Sequence, residues 1–383
     1  MTEHAPLVML SAGEASGDRY AAELFRELRV LAPGVRAIGM GGAAMREAGV
    51  DLVFDSSGIG VIGLAEIARH YGEIKQALKL MQRTAGERKP DLLICVDYKE
   101  FNFRLAKAAK ACGIKVLFYV SPQVWAWRPG RVKSYGRIID HMAVIFPFEV
   151  PFYEKHDIPV TYVGHPLAGK VKATLCREAA LEKFGLSGER PIVGLLPGSR
   201  ANEIKRLFPV ILDSAVRLAR DFEGAQFVLF QAPSVADEAL QAQLAASGLD
   251  LRIIRGQDYD ALQCCDAVIT VSGTATLEVA LTGVPMAIVY KLSPLSYWLG
   301  RLLVSIAWIG LPNILAGKAI VREFIQHEAT AEHIAAEIGR ILREPDYAAG
   351  IRRDLAEVRE KIGEHNGSLE LARLAARMLG GEA

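Results

Sequence analysis

With 383 residues, 51% of them hydrophobic and 23% charged, the chain has apolar material for more than one core, and its composition argues against disorder. Its net charge of +1 divides into +3 up to Pro166 (21 Lys+Arg against 18 Asp+Glu) and −2 beyond it (24 against 26), which excludes a strong long-range pull on nucleic acid. No run of about eighteen apolar residues offers a membrane span, and the first residues carry no secretory pattern. The eight His form no metal-ligand spacing, so neither metal nor cofactor is expected, and five Cys without a C-x-x-C pair fit a reducing cytoplasm.

Short apolar runs at Leu7–Ser11, Asp91–Val96, Lys115–Val120, Met142–Ile145 and Val160–Val163 alternate with helical patterns. After Gly164-His165-Pro166 the alternation restarts at Ile192–Leu196, Gln226–Phe230, Leu251–Ile254, Ala267–Val271 and Met286–Tyr290. This βαβ periodicity predicts an α/β fold of two parallel-sheet domains, in which ligands lie beyond the carboxyl ends of the strands. Residues 330–380 read as helices broken near Pro345 and Gly363, the last of them able to return and brace the first domain.

The loop after the first run, Ser11-Ala-Gly-Glu14-Ala-Ser16-Gly-Asp18, is rich in small residues that permit close ligand approach and leads into a helix predicted over 19–31. Asp18 reads as that helix's N-cap, while Glu14 and Ser16 are a polar pair facing the crevice. It is not a dinucleotide fingerprint, because G-x-G-x-x-G is absent. Asp97 ends an apolar strand, where parallel-sheet enzymes present catalytic carboxylates, and is the candidate general base; a plain helix-capping Asp is the alternative.

Two loops in the second half suit phosphate. In Leu196-Pro-Gly198-Ser199-Arg200 the guanidinium can reach a diphosphate and the Gly198 and Ser199 amides line the turn. Ser272-Gly273-Thr274-Ala275-Thr276 opens a short helix that stops at Gly283 and Pro285, so its first N–H groups, with the Thr274 and Thr276 hydroxyls, can hold an anion without a Lys. Glu278, one turn on, can accept both hydroxyls of a ribose.

Other stretches look lipid-directed. Leu64, Ile67, Tyr71, Ile74, Leu78 and Met81 form one apolar helix face, preceded by the apolar Ile59–Gly63 segment with Ile62 at its heart. A core-facing helix explains that face equally well. The segment 292–315, with Trp298, Leu302, Trp308 and Ile309, is too interrupted to span a bilayer and reads as interfacial or buried. Trp125-Ala-Trp127-Arg128-Pro-Gly-Arg131 interleaves aromatics with cations, to meet a phosphorylated lipid or to pack the domain edge.

Gly13-Glu-Ala-Ser-Gly-Asp18, Val96-Asp97-x-x-x-Phe-Asn102, Tyr119-Val-Ser-Pro-x-Val-Trp-Ala-Trp-Arg128, Leu196–Arg200, Ser272–Glu278 and Leu311-Pro-Asn-Ile-Leu-Ala-Gly317 follow in order over nearly the whole chain. Together they resemble the lipid-A-disaccharide synthase family. The resemblance implies a GT-B glycosyltransferase, with an acceptor and membrane-associated domain at 1–166, joined by a returning helix near 365–383, and a UDP-sugar domain at 167–364 facing it across a cleft. It further implies transfer of 2,3-diacylglucosamine from its UDP derivative to 2,3-diacylglucosamine 1-phosphate, by inversion, with no metal and no cofactor. The partners are then those two lipids and the inner face of the cytoplasmic membrane, held peripherally; no nucleic acid is involved, and a homodimer is allowed. Carried over by position, the family's essential aspartate is Asp97, its UDP-phosphate arginine Arg200, and its nucleotide residues Ser272, Gly273, Thr274 and Glu278. Glu14, Ser16 and Asp18 occupy the N-terminal crevice loop, and Asn313 and Gln326 a later segment that closes on it. The chain departs from the family's usual Asp-x-Pro-Asp-Phe-Asn by reading Asp97-Tyr-Lys-Glu100-Phe-Asn, which leaves the role of Glu100 open. Two rivals stand beside this reading: a UDP-N-acetylglucosamine 2-epimerase of similar architecture, and a non-catalytic lipid-binding module.

Overall fold

The computed structural model describes residues 5–57, 64–127, 129–256, 258–292, 307–364 and 366–380, with 64–70, 126, 127, 129 and 239 described by backbone alone. The chain divides into two compact units, residues 1–168 with 364–383, and residues 169–363.

The first unit is built on a seven-stranded sheet of β1 (Leu7–Ala12), β2 (Arg36–Gly41), β3 (Asp51–Asp55), β4 (Leu92–Val96), β5 (Lys115–Tyr119), β6 (His141–Val144) and β7 (Val160–Tyr162), in the order β3-β2-β1-β4-β5-β6-β7. Every pairing is parallel, and β1 and β4 are fully buried, as a sheet covered on both faces requires. Side chains alternate across it. Val8, Leu10, Ala12, Ile94 and Val96 join one core with Leu24, Phe25 and Leu28 of helix α1 (Ala15–Leu31); Leu7, Met9, Leu93 and Cys95 join the other. That second core takes Ala77, Met81 and Ala85 of α3 (Leu64–Arg88) and Phe101, Leu105 and Ala109 of α4 (Lys99–Ala111). The short α2 (Ala43–Glu47) lies between β2 and β3. The helix Gly367–Met378 belongs to this unit: Leu371, Ala372 and Ala375 are fully buried in the first core, Ser368 bonds Glu23, and the Met378 carbonyl accepts from Lys115 Nζ at 2.6 Å.

The second unit carries a six-stranded parallel sheet: β8 (Ile192–Leu196), β9 (Gln226–Gln231), β10 (Leu251–Arg255), β11 (Ala267–Val271), β12 (Met286–Tyr290) and β13 (Arg322–Ile325), ordered β10-β9-β8-β11-β12-β13. β2, β3 and β13 are strands that the apolar-run reading does not anticipate. β2 reads Arg-Ala-Ile-Gly-Met-Gly, and its Gly39 lets the strand lie so close to β1 that a Cβ there would sit 2.0 Å from the Leu10 carbonyl oxygen. β3 (Asp51-Leu-Val-Phe-Asp55) and β13 (Arg322-Glu-Phe-Ile325) are short strands at the sheet margins with only two or three apolar residues each.

In both sheets the strand order reverses once, between β1 and β4 and between β8 and β11. The loops leaving those strands diverge to opposite faces and open a crevice at the carboxyl end of each sheet.

Candidate active site

In the first unit the reversal brings the loop after β1 against the turn after β4. Asp97 and Tyr98 both have positive φ, 50° and 43°, a left-handed pair that costs roughly 1–2 kcal/mol per non-glycine residue. The turn points the Asp97 carboxylate back at β1: Oδ1 accepts the Gly13 N–H at 3.5 Å, and Oδ2 is buried with no hydrogen-bond partner among the described residues. Tyr98 closes over Gly13, where a Cβ would meet the ring at 2.3 Å. Burial first, and the Glu14 charge second, push the Asp97 carboxyl up to about 8; the Gly13 amide and the Lys99 ammonium oppose this. Lys99 itself donates to Gln123 Oε1 at 3.2 Å, and burial lowers its ammonium against the pull of Glu14, Glu149 and Asp97.

The helix after β1 begins at Ala15, earlier than expected, so Glu14 is its N-cap and Ser16 lies half-buried in its first turn. Asp18 does not cap α1. It reaches across to α2, accepting from the N–H groups of Gly42 at 2.7 Å, Ala44 at 3.0 Å and Met45 at 3.1 Å. Sequence spacing cannot distinguish these two capping roles, because β2 is hidden in a glycine-rich stretch.

Sequence reasoning also misses Glu149, which sits past the end of β6. It accepts the Trp125 indole N–H at 3.0 Å and the Phe146 amide at 3.2 Å, and burial pushes its carboxyl up to about 7. The available signal is a lone carboxylate within the otherwise apolar Ile145-Phe-Pro-Phe-Glu-Val150.

In the second unit Gly198 has φ +100°, and the turn leads directly into the helix Ala201–Asp221, with Arg200 as N-cap. The Arg200 guanidinium is 57% exposed and lies 3.0 Å from Glu203, whose second oxygen accepts the Ser199 N–H at 3.4 Å. Beside it, across the β8–β11 pair, Gly273 caps the helix Thr274–Thr282, which ends on Gly283 at φ +76°. The helix start leaves the Thr274 and Ala275 amides without intrahelical partners. The Thr276 hydroxyl expected to bind an anion is otherwise engaged, its Oγ1 donating to the Gly273 carbonyl at 2.7 Å, and the neighbouring Ser272 Oγ donates to the Ile309 carbonyl at 2.9 Å. Glu278 is buried on the same helix. Asn313 is a fully buried staple, its amide nitrogen donating to Val321 O and Glu323 Oε1 and its oxygen accepting the Ile320 and Val321 amides. Gln326, at φ +55°, clamps the Leu292 backbone through both ends of its amide. These two residues act on neighbouring backbone rather than facing outward.

The lipid-directed candidates divide. Ile74 and Leu78 pack against the core of the first unit, and Met81 is fully buried there, so this part of the α3 face is a core face; Tyr71 points outward, 57% exposed. Trp125 is half-buried, its ring 4.9 Å from Phe148. Arg131 forks onto Glu100 and lies 5.4 Å from the Phe103 ring centre, which packs the edge of the unit. Ile62, Arg128, Trp298 and Leu302, and the side chains of Leu64, Ile67 and Trp127, lie outside the described residues. Among the described residues no helix is long and apolar enough to cross a membrane, and no group of three or more His, Cys, Asp or Glu could hold a metal ion.

Two parallel Rossmann-like sheets with loops of this kind at both reversal points define the GT-B class. Solved structures of that architecture superpose over almost the whole chain. The glycotransferase of kitacinnamycin does so with TM-score 0.62 at 16% identity, covering 99% of this chain and 100% of its own, and the UDP-GlcNAc 2-epimerase from Neisseria meningitidis bound to UDP-GlcNAc with TM-score 0.58 at 14% identity, covering 97% and 99%. Such low identities speak for the fold alone. The sequence decides the rest: the lipid-A-disaccharide synthetase family matches residues 8–375, and the lipid-A-disaccharide synthase of Geobacter sulfurreducens is 51% identical over 97% of each chain. The chain belongs to the lipid-A-disaccharide synthase family, and is therefore a glycosyltransferase of lipid A biosynthesis.

Proposed function

We propose that the enzyme transfers 2,3-diacylglucosamine from UDP-2,3-diacylglucosamine to 2,3-diacylglucosamine 1-phosphate, forming the β-1,6-linked disaccharide 1-phosphate and UDP by one inverting displacement. The first unit takes the acceptor and the second the UDP-sugar. The observation that carries the assignment of the base is Asp97: a buried carboxyl with one oxygen unpartnered among the described residues, poised at about 8, where a proton can be taken at working pH. Asp97 removes the proton of the acceptor hydroxyl as its oxygen attacks the anomeric carbon. The bond to UDP breaks on the opposite side, and the charge developing on the diphosphate is met by Arg200 and the amides of Gly198, Ser199 and Gly273 to Ala275.

Glu14 and Ser16 border the acceptor hydroxyl, Glu278 accepts the ribose hydroxyls, and Ser272, Thr276, Asn313 and Gln326 hold the backbone that frames the nucleotide. No metal is needed in this scheme, since the guanidinium and helix start supply the positive field. Because both substrates are acylated, the enzyme works peripherally at the inner face of the cytoplasmic membrane, with Tyr71 and the Trp125 region as its lipid-side candidates.

Incubation with the two acylated monosaccharides, followed by thin-layer separation, tests the reading. Disaccharide 1-phosphate with equimolar UDP supports it, and absence of both overturns it. Conversion of plain UDP-N-acetylglucosamine to the manno epimer would instead favour the epimerase reading.

A further inference from the structure

The geometry points to Asn102 as the positioning residue of Asp97, an inference that rests on Asp97 being the base. Asn102 is fully buried on the first turn of α4, and all its side-chain bonds converge on the ends of β1 and β4. Its Oδ1 accepts the Ser11 hydroxyl at 2.6 Å; its Nδ2 faces the carbonyls of Asp97 at 2.8 Å, Val96 at 3.1 Å and Ser11 at 3.3 Å. Chemistry fixes the orientation of this amide, because the reversed one would turn an oxygen toward three carbonyl oxygens.

Two consequences follow for the carboxylate. First, Asp97 and Tyr98 hold a left-handed conformation that persists only where surrounding structure over-determines it. The bond from Nδ2 to the Asp97 carbonyl, with the Asn102 backbone N–H on the Tyr98 carbonyl at 3.0 Å, brackets that turn from within the helix it opens. Second, the same amide grips Ser11 by both hydroxyl and carbonyl, two residues before Gly13, whose N–H is the one hydrogen bond that reaches the carboxylate among the described residues. Asn102 thus sets both the backbone from which Asp97 projects and the loop that touches its Oδ1. A residue that only filled space between β1 and β4 would need neither the three-carbonyl fan nor the hydroxyl.

The test compares wild type, Asn102→Ala, Ser11→Ala and Asp97→Asn for kcat, kcat/KM against pH, UDP affinity by calorimetry, and Tm. Asn102→Ala is expected to lower kcat on the order of a hundredfold, the effect of displacing a reacting group by about 1 Å, while UDP affinity holds within about twofold. Its acid limb moves to higher pH, since a loosened Gly13 amide no longer favours the charged carboxylate. Ser11→Ala moves both quantities the same way by less, and carries the test if Asn102→Ala does not fold. Folded protein with wild-type kcat and an unmoved acid limb, even with a lowered Tm, overturns the inference. Retained turnover in Asp97→Asn overturns instead the assignment of the base on which it rests.

Discussion

Asp97 and Gly17 meet at a distance that leaves no room for a side chain: a Cβ placed on Gly17 would lie 2.1 Å from Asp97 Oδ2. The first turn of α1 therefore walls in the carboxylate without donating to that oxygen, which keeps the carboxyl dry and its proton affinity high. Gly17→Ala is expected to force the carboxylate aside, costing about 1–3 kcal/mol in overpacking and removing most turnover. Thermal unfolding and initial rates check this together; a tolerated methyl with full activity would place the carboxylate elsewhere.

Glu14 contributes to the raised proton affinity of Asp97 through its charge. Activity is expected to rise with pH through about 8 in the wild type, and Glu14→Gln should move that limb to lower pH. An unmoved limb in the variant would remove Glu14 from the electrostatics of the base.

The same shift bears on stability. Below the ordinary carboxyl value of 3.8 the group is protonated both folded and unfolded; between 3.8 and about 8 only the unfolded chain releases the proton, so this group's contribution falls as pH rises through that window. Asp97→Asn should raise stability near pH 9, because the neutral amide carries no buried charge, with the gain fading toward pH 4. Denaturant titrations at the two pH values measure it. A variant less stable than wild type at about pH 9 contradicts the assignment of burial as the cause.

Asp18 binds three amides of α2, so Asp18→Ala should lower stability by about 2 kcal/mol and Asp18→Asn by less, since an amide oxygen still caps. Equal losses in the two variants would argue against capping.

How much of this was legible beforehand follows from the residues. β1, β4, β8 and β11 are buried on both faces and read as continuous apolar runs, so the two-sheet fold and the placement of Asp97, Arg200 and Ser272–Thr276 at strand ends were visible. β2 was not, because a strand made of Gly39 and Gly41 beside Ala37 resembles a loop. What Asn102, Asp18 and Glu149 hold was also hidden. Asn102 meets Ser11 across 91 positions, and Asp18 meets Gly42 at the start of α2 across 24, contacts that no local period encodes. The α3 stripe shows the opposite failure: an apolar face at helical spacing is the same whether it meets lipid or, as Ile74 and Leu78 do, a core.

On the nucleotide side, Arg200→Ala should weaken UDP binding at least about tenfold, the loss of a charge-assisted fork on a diphosphate, with Arg200→Lys in between. Calorimetry with UDP alone reads this directly. An unchanged affinity would move the phosphate site away from the turn after β8.

In the proposed reaction Asp97 takes the acceptor's proton while UDP is bound elsewhere on the chain. Disaccharide formation and UDP affinity measured on the same preparation of Asp97→Asn test it most directly. UDP binding is expected to stay within about twofold of wild type and transfer to fall by at least about a hundredfold; transfer at the wild-type rate would remove Asp97 from the reaction.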